Sequence, residues 1–210
     1  MKARSYVEFE WSDDMPANGE SGRGLAEKLL VLIQDLPSIN TICDLGCGNG
    51  YLANELAERG YTVFGVDASS SGIVVARRGS AEFVQSEIDG SIRNRTGLGE
   101  VDLVISSDVL EHLYRPADLL DAAVTLLKPN GQIVITTPYH GYLKNLALSV
   151  SGRMDSHFSA LHDGGHIKFF SVKSLSELMR KHSFGDLRFS YYGRAWWLWK
   201  NMICHARRVR

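Results

Sequence analysis

Thr41-Ile42-Cys43-Asp44-Leu45-Gly46-Cys47-Gly48-Asn49-Gly50 reads as a short apolar strand with an acid near its end, then three glycines at alternate positions. A helix-forming segment follows. A chain that turns this tightly needs residues free to adopt positive φ, and Gly46, Gly48 and Gly50 are suited to that. The next helix directs its first unpaired N–H groups at whatever lies over the turn. The run therefore predicts a strand, a tight turn and a helix that hold a nucleotide-like ligand against bare backbone.

Working outward, strands and helices alternate. Upstream, Leu25, Leu29, Leu32 and Ile33 have helical spacing and predict a helix over 24–34, closed by Pro37. Downstream, strands are expected at 42–45, 62–66, 82–85, 101–106 and 132–137, with helices at 51–58, 70–78 and 117–127 between them. Residues 101–106 are apolar on both faces, as a buried parallel strand should be. This rhythm implies an α/β fold with a parallel, doubly wound sheet, which binds ligands beyond the carboxyl ends of its strands. From Pro138 to Phe170 the rhythm fails. That stretch is rich in Gly, His, Ser and Tyr and is too long for an ordinary connection, so it is read as a lid or substrate insertion. A helix at 175–181 and two strands, 187–192 and 199–206, finish the chain. The aromatic cluster Trp196, Trp197 and Trp199 lies between those strands and is read as hairpin packing on the sheet edge, with membrane docking as the alternative.

Composition narrows the function. The 210 residues are 44% hydrophobic and 22% charged, which fits a single globular domain over 1–210, with an N-terminal loop and helix at 1–37. A formal net charge of −1 supplies no global field for nucleic acid or an acidic membrane, and no apolar run is long enough for a membrane span. Cys43, Cys47 and Cys204 form no paired framework. With no signal-peptide pattern at the start, they suggest a reduced, cytoplasmic setting.

The glycine turn admits two ligands. A nicotinamide site requires Gly-x-Gly-x-x-Gly, but the third position here is Tyr51 and the glycine falls one residue early, at Gly50. Asp44 precedes the turn where a pyrophosphate would be repelled. A cofactor carrying an ammonium and a sulfonium, S-adenosyl-L-methionine, would be attracted. Asp67, at the end of the second strand, can take both ribose hydroxyls.

Five stretches in order, Asp44-Leu45-Gly46-Cys47-Gly48-Asn49-Gly50, Gly65-Val66-Asp67, Asp102-Leu103-Val104, Asp108-Val109-Leu110-Glu111-His112 and Leu127-Lys128-Pro129-Asn130-Gly131, resemble class I S-adenosylmethionine-dependent methyltransferases. The resemblance runs from about Ile42 to Thr137 and is greatest to the branch with ubiquinone-pathway O-methyltransferases. It implies a mostly parallel seven-stranded sheet with helices on both faces and the last strand antiparallel. It also implies that Gly46, Cys47, Gly48 and Gly50 line the methionine part of the cofactor and that Asp44 holds its ammonium. Asp67 would hold the ribose, with Ala68 beside the adenine. Glu87 and Ile88 stand where the family often has an acid for the adenine amine, and Ser107 and Asp108 would flank the sulfonium.

Methyl transfer to oxygen needs a proton acceptor, and histidine suits that role near neutral pH. His166 in the His-rich stretch is the chosen base, with His140 next, and Tyr139, Tyr142 and Phe158 as pocket walls. Asp155, His157, His162 and Asp163 complete that cluster. In some ubiquinone-pathway and small-RNA methyltransferases a Glu-x-x-Glu-His motif binds a divalent metal. Asp108, Glu111 and His112 could do so here, but the same residues can simply fix a strand-to-helix turn, and the reading takes no metal. The expected partner is a small-molecule methyl acceptor, with no nucleic acid. A metal-assisted RNA-end O-methyltransferase and a cofactor-binding protein without activity are the alternatives.

Overall fold

A computed structural model describes residues 10–11, 19–158, 165–194, 196 and 198–209 of the chain. Its seven strands form one sheet in the order β3-β2-β1-β4-β5-β7-β6. They are β1 Thr41–Leu45, β2 Thr62–Asp67, β3 Glu82–Gln85, β4 Val101–Ser107, β5 Leu127–Pro138, β6 Phe184–Tyr192 and β7 Asn201–Arg208. Strands β1 to β5 pair in parallel. Strand β7 runs antiparallel to both β5 and β6, as the resemblance implied.

The order reverses between β1 and β4, where the parallel crossovers change direction, and a ligand crevice opens at such a reversal. Two apolar layers sandwich the sheet. Helices α1 (Gly19–Gln34), α2 (Tyr51–Glu58) and α3 (Ser70–Ala76) bury Leu29, Ile33, Leu56 and Ile73 on one face. Helices α4 (Ile92–Thr96), α5 (Ala117–Leu126) and α8 (Val172–Lys181) bury Ile92, Leu119, Leu126, Leu175 and Met179 on the other. Ser69 caps α3 by accepting the Gly72 N–H, and Ser171 with Ser174 forms a reciprocal cap at the start of α8.

Several boundaries differ from those read in the sequence. Strand β5 begins at Leu127, directly after α5, because Leu127 pairs with Val101 ahead of the irregularity at 128–131. The last strand begins at Asn201 instead of residue 199, since Trp199 stacks on Tyr191 with ring centroids 4.1 Å apart. The stretch after β5 contains two helices, α6 (Tyr142–Val150) and α7 (Met154–Phe158). The 12–18 loop, His162, Asp163 and Trp197 lie outside the described residues. No described helix is long and apolar enough to cross a membrane.

Candidate active site

The glycine turn is stitched to the end of β2. The Gly46 and Cys47 N–H groups donate to the Val66 carbonyl at 2.7 and 3.2 Å, and the Gly48 N–H donates to Asp67 Oδ2 at 2.8 Å. The other Asp67 oxygen accepts the Ser69 N–H at 2.7 Å, so one carboxylate ties the turn to the start of α3.

Gly46 has φ +82°, and a Cβ there would lie 2.3 Å from a Val109 methyl. This close approach sets Val109, and the chain after it, directly against the glycine turn. Gly46→Ala combines a left-handed conformation with a steric clash. It is expected to cost about 2–4 kcal/mol, read as a fall in Tm of roughly 5–15 °C. Gly97→Ala is the control: its φ is +72° but nothing stands within 4 Å, so only the conformational part should be lost. Gly50 serves packing, because its open side faces Ala76 and Phe83. The Cys47 thiol lies toward β2, beside Gly65, and burial raises its pKa well above the usual value.

Asp44 is buried at the end of β1, and no cationic side chain pairs with it among the described residues. Burial, then the charge of Asp67, raise its carboxyl to about 7. A buried acid in this state is suited to a cation supplied by a ligand. Two neighbours gave no sequence signal. The Trp11 indole packs over Gly48 and Gly72, and its backbone N–H donates to Ser71 Oγ at 2.9 Å. Gly72 lets α3 approach the Gly48 carbonyl, 2.8 Å from where its Cβ would be. Beyond β2, the Ala68 carbonyl accepts from Gln85 Nε2. Glu87 is exposed, its carbonyl held by Arg95 Nη2 at 2.6 Å, and Ile88 packs on the core.

Strand β4 ends at Ser107, whose hydroxyl meets Thr136 Oγ1 at 3.1 Å. Asp108 follows with φ +54°. Its Oδ1 accepts from Thr136 Oγ1 and from Asn201 Nδ2, both at 2.8 Å. That carboxylate therefore braces β4 against β5 and β7. A 3-10 turn over Leu110–His112 comes next, with Glu111 fully buried. Neither Glu111 carboxylate oxygen has a hydrogen-bond partner among the described residues. Burial, then Asp108, raise the Glu111 pKa well above the usual carboxylate range.

The Glu111 backbone carbonyl accepts the N–H groups of Ile167 (2.9 Å) and Lys168 (3.0 Å), which clamps residues 165–168 onto the turn. The clamp brings His166 Nε2 to 3.9 Å from Glu111 Oε1 and its ring to 5.0 Å from that of His112. Ligand atoms of Glu111, His112 and His166 lie within 4.8 Å of one another. The third member beside Glu111 and His112 is thus His166; Asp108, named from the sequence, is turned toward Thr136 and Asn201. A hard carboxylate with two imidazoles is a donor set that divalent cations accept.

His140 does not sit as a base would. It is 7% exposed, and neither ring nitrogen has a hydrogen-bond partner among the described residues. Burial, then Lys144 and His157, lower its pKa to about 4. It stacks on Phe158 at 5.8 Å and meets Phe169 edge-on at 5.0 Å, with His157 at 5.7 Å, forming an aromatic wall. Tyr139 turns away to Tyr191 and Trp199, and Tyr142 is exposed.

Residues 18–187 match a family described as a methyltransferase domain. Ubiquinone biosynthesis O-methyltransferase of Pasteurella multocida is 34% identical over 124 residues, covering 53% of this chain and 51% of that protein. The mitochondrial enzyme of that name from Schizosaccharomyces pombe is 35% identical over 105 residues, covering 46% of this chain and 37% of its own length. The chain thus spans about half or less of these curated relatives. Among solved structures, magnesium protoporphyrin IX methyltransferase from Synechocystis superposes with a TM-score of 0.66 at 18% identity, covering 98% of this chain and 91% of the other. A SAM-dependent methyltransferase from Archaeoglobus fulgidus gives 0.67 at 16% identity, covering 87% and 92%. Those two likenesses concern the fold.

Proposed function

Because the chain belongs to the methyltransferase domain family, we propose that it carries a methyl group from S-adenosylmethionine to a hydroxyl of a small, ring-bearing molecule. The observation that carries the reading is the position of the Glu111, His112 and His166 cluster. Val109 touches Gly46 of the cofactor turn, and Glu111 lies two residues further on. A hydroxyl at the cluster therefore stands next to the cofactor turn. The bound cofactor supplies an activated methyl on sulfur, so the protein contributes alignment, a place for the proton and exclusion of water. The buried Asp44 carboxylate binds the cofactor's ammonium, and Asp67 its ribose. His166 takes the hydroxyl proton, and the imidazolium that results favours the ionised form of Glu111, 3.9 Å away. The Phe158, Phe169 and His140 wall offers a flat apolar surface to a ring.

One observation favours a cation at the same three residues. At 3.9 Å the His166–Glu111 contact is longer than a hydrogen bond, and both buried Glu111 oxygens lack a hydrogen-bond partner among the described residues. A divalent ion would be held by Glu111, His112 and His166, and would lower the pKa of a hydroxyl bound to it. EDTA is expected to lower turnover and leave S-adenosylhomocysteine affinity unchanged, with Mg²⁺ or Zn²⁺ restoring the rate. Turnover indifferent to EDTA would leave His166 as a base acting without a cation. The acceptor itself is found by incubating enzyme and S-adenosylmethionine with a panel of phenols and aliphatic alcohols. Mass spectrometry should find O-methylated phenols, and methylation confined to amines would overturn the reading.

A further inference from the structure

At the end of the sheet away from the glycine turn lies a groove of about 620 Å³. Gln132 of β5, Arg188 of β6 and His205 and Arg207 of β7 form its floor. Gln132 pairs with Leu103, near the amino ends of the parallel strands, whereas the crevice opens at their carboxyl ends. One wall is apolar and comes from the end of α1 and the residues after it, with Val31, Leu32 and Leu36. A volume of this size accepts a small organic molecule and exceeds the needs of a single ion.

The strand register explains why the floor is cationic. Directly opposed residues of an antiparallel pair project to the same face of the sheet, as do residues two apart on one strand. Gln132 opposes Arg207, and Arg188 opposes His205. Val134 and Ile203, two residues along from Gln132 and His205, pack in the core layer of α1, so all four floor residues share that face. From Gly185 to Arg188 strand β6 advances three residues, while β7 advances two, from Arg207 to His205. Without that extra residue Leu187 would oppose His205. With it, Leu187 packs on the opposite core layer and Arg188 takes the floor position.

The floor is held in place, and its charge is uncompensated. Gln132 is buried, and its Oε1 accepts from His205 Nε2 at 2.8 Å. Burial, then Arg188 and Arg207, lower the His205 pKa. Among the described residues Lys28, Arg188 and Arg207 make no ion pair, and neither do the two acids of the groove, Asp35 and Asp186. Three permanent cations against two carboxylates leave the groove positive, in a chain whose net charge is −1. Guanidinium groups on adjacent strands present forked donors that match phosphate oxygens. The apolar wall beside them suits the carbon body of the same ligand.

We propose that this groove is a second ligand site, for the phosphate monoester of a small apolar molecule. The phosphate lies on Arg188 and Arg207, and the carbon body along Val31 and Leu36. The inference does not rest on the transfer reaction. Calorimetry of the full chain with phenyl phosphate, in a phosphate-free buffer, tests it. Wild type should bind phenyl phosphate at one site, about tenfold or more tighter than inorganic phosphate, because the ring is buried as well. Arg188→Ala with Arg207→Ala should weaken that binding about tenfold or more. Tm should stay at the wild-type value, since both side chains are exposed and unpaired. Val31→Glu, on the other wall, should weaken binding too. No heat with phenyl phosphate, or equal affinity in the double variant, would overturn the site. Inorganic phosphate bound as tightly as the ester would overturn the place given to the apolar wall. Benzoate bound as tightly would overturn phosphate as the anionic group.

Discussion

Glu111→Gln should reduce kcat by about 10³-fold and leave the affinity for S-adenosylhomocysteine unchanged. The magnitude follows from removing a group that stabilises proton transfer, worth roughly 10²- to 10⁴-fold. Glutamine keeps the shape of the side chain and leaves the backbone carbonyl, so the clamp to Ile167 and Lys168 survives and His166 stays in place. What disappears is the ability to carry a negative charge next to His112 and His166, which both the base and the cation reading require. Stability should move the other way. Burial and Asp108 raise the folded-state pKa of Glu111 above its unfolded value. The native state therefore holds this proton more tightly than the unfolded chain, and it loses stability as pH rises from the unfolded pKa to the folded one. A variant that cannot ionise escapes that loss. Glu111→Gln should melt at the wild-type temperature or above it, most clearly at alkaline pH, in a thermal scan run alongside the rate assay. A lower Tm together with weaker cofactor binding would assign Glu111 a structural role.

Asp44→Asn should weaken S-adenosylhomocysteine binding about 10²-fold, because removing one partner of a buried charge pair costs roughly 2–5 kcal/mol. The pH dependence carries the sign. Burial, then Asp67, hold the Asp44 carboxyl at about 7, against 3.8 for the free side chain. Only the ionised form attracts the ligand's ammonium. Affinity measured by calorimetry should therefore increase with pH up to about 7 and level off above it, with close to tenfold lost per pH unit below. Asp44→Asn should flatten that profile. Without ligand the folded state is progressively destabilised between 3.8 and about 7, because Asp44 ionises in the unfolded chain while burial keeps it protonated in the folded one, so the variant should be the more heat-stable protein above neutral pH. Gain of stability with loss of affinity is the combination expected of an acid held ready for a cationic ligand. A profile in Asp44→Asn that still rises toward pH 7 would move the titration to another group.

The cofactor half of the crevice was legible because its information is local. Three glycines at φ +82°, +54° and +77° are needed for a turn between adjacent elements, and composition at fixed spacing signals such a turn. The strand rhythm was legible for the same reason, down to β3 at 82–85 and α2 at 51–58. The reacting end depends on distant pairings. His166 meets Glu111 through two backbone hydrogen bonds from the following residues, and no side-chain spacing encodes those. The spacing of Asp108, Glu111 and His112 suggested a three-residue set, but positive φ at Asp108 turns its carboxylate to Thr136 and Asn201. Helix α6 lay inside the stretch read as an insertion, and no period in its sequence tells which side faces the core. That required Lys144 to be seen inside and Val150 outside. Trp11 came to the glycine turn from a segment with no pattern at all.

Calorimetric titration of S-adenosylhomocysteine into the purified chain tests the central claim, that the turn at Gly46, Gly48 and Gly50 with Asp44 and Asp67 is built for a cationic methyl donor. The account predicts one-site binding that Asp67→Ala and Asp44→Asn each weaken, and no heat with NADH. Binding of NADH with no response to S-adenosylhomocysteine would contradict it.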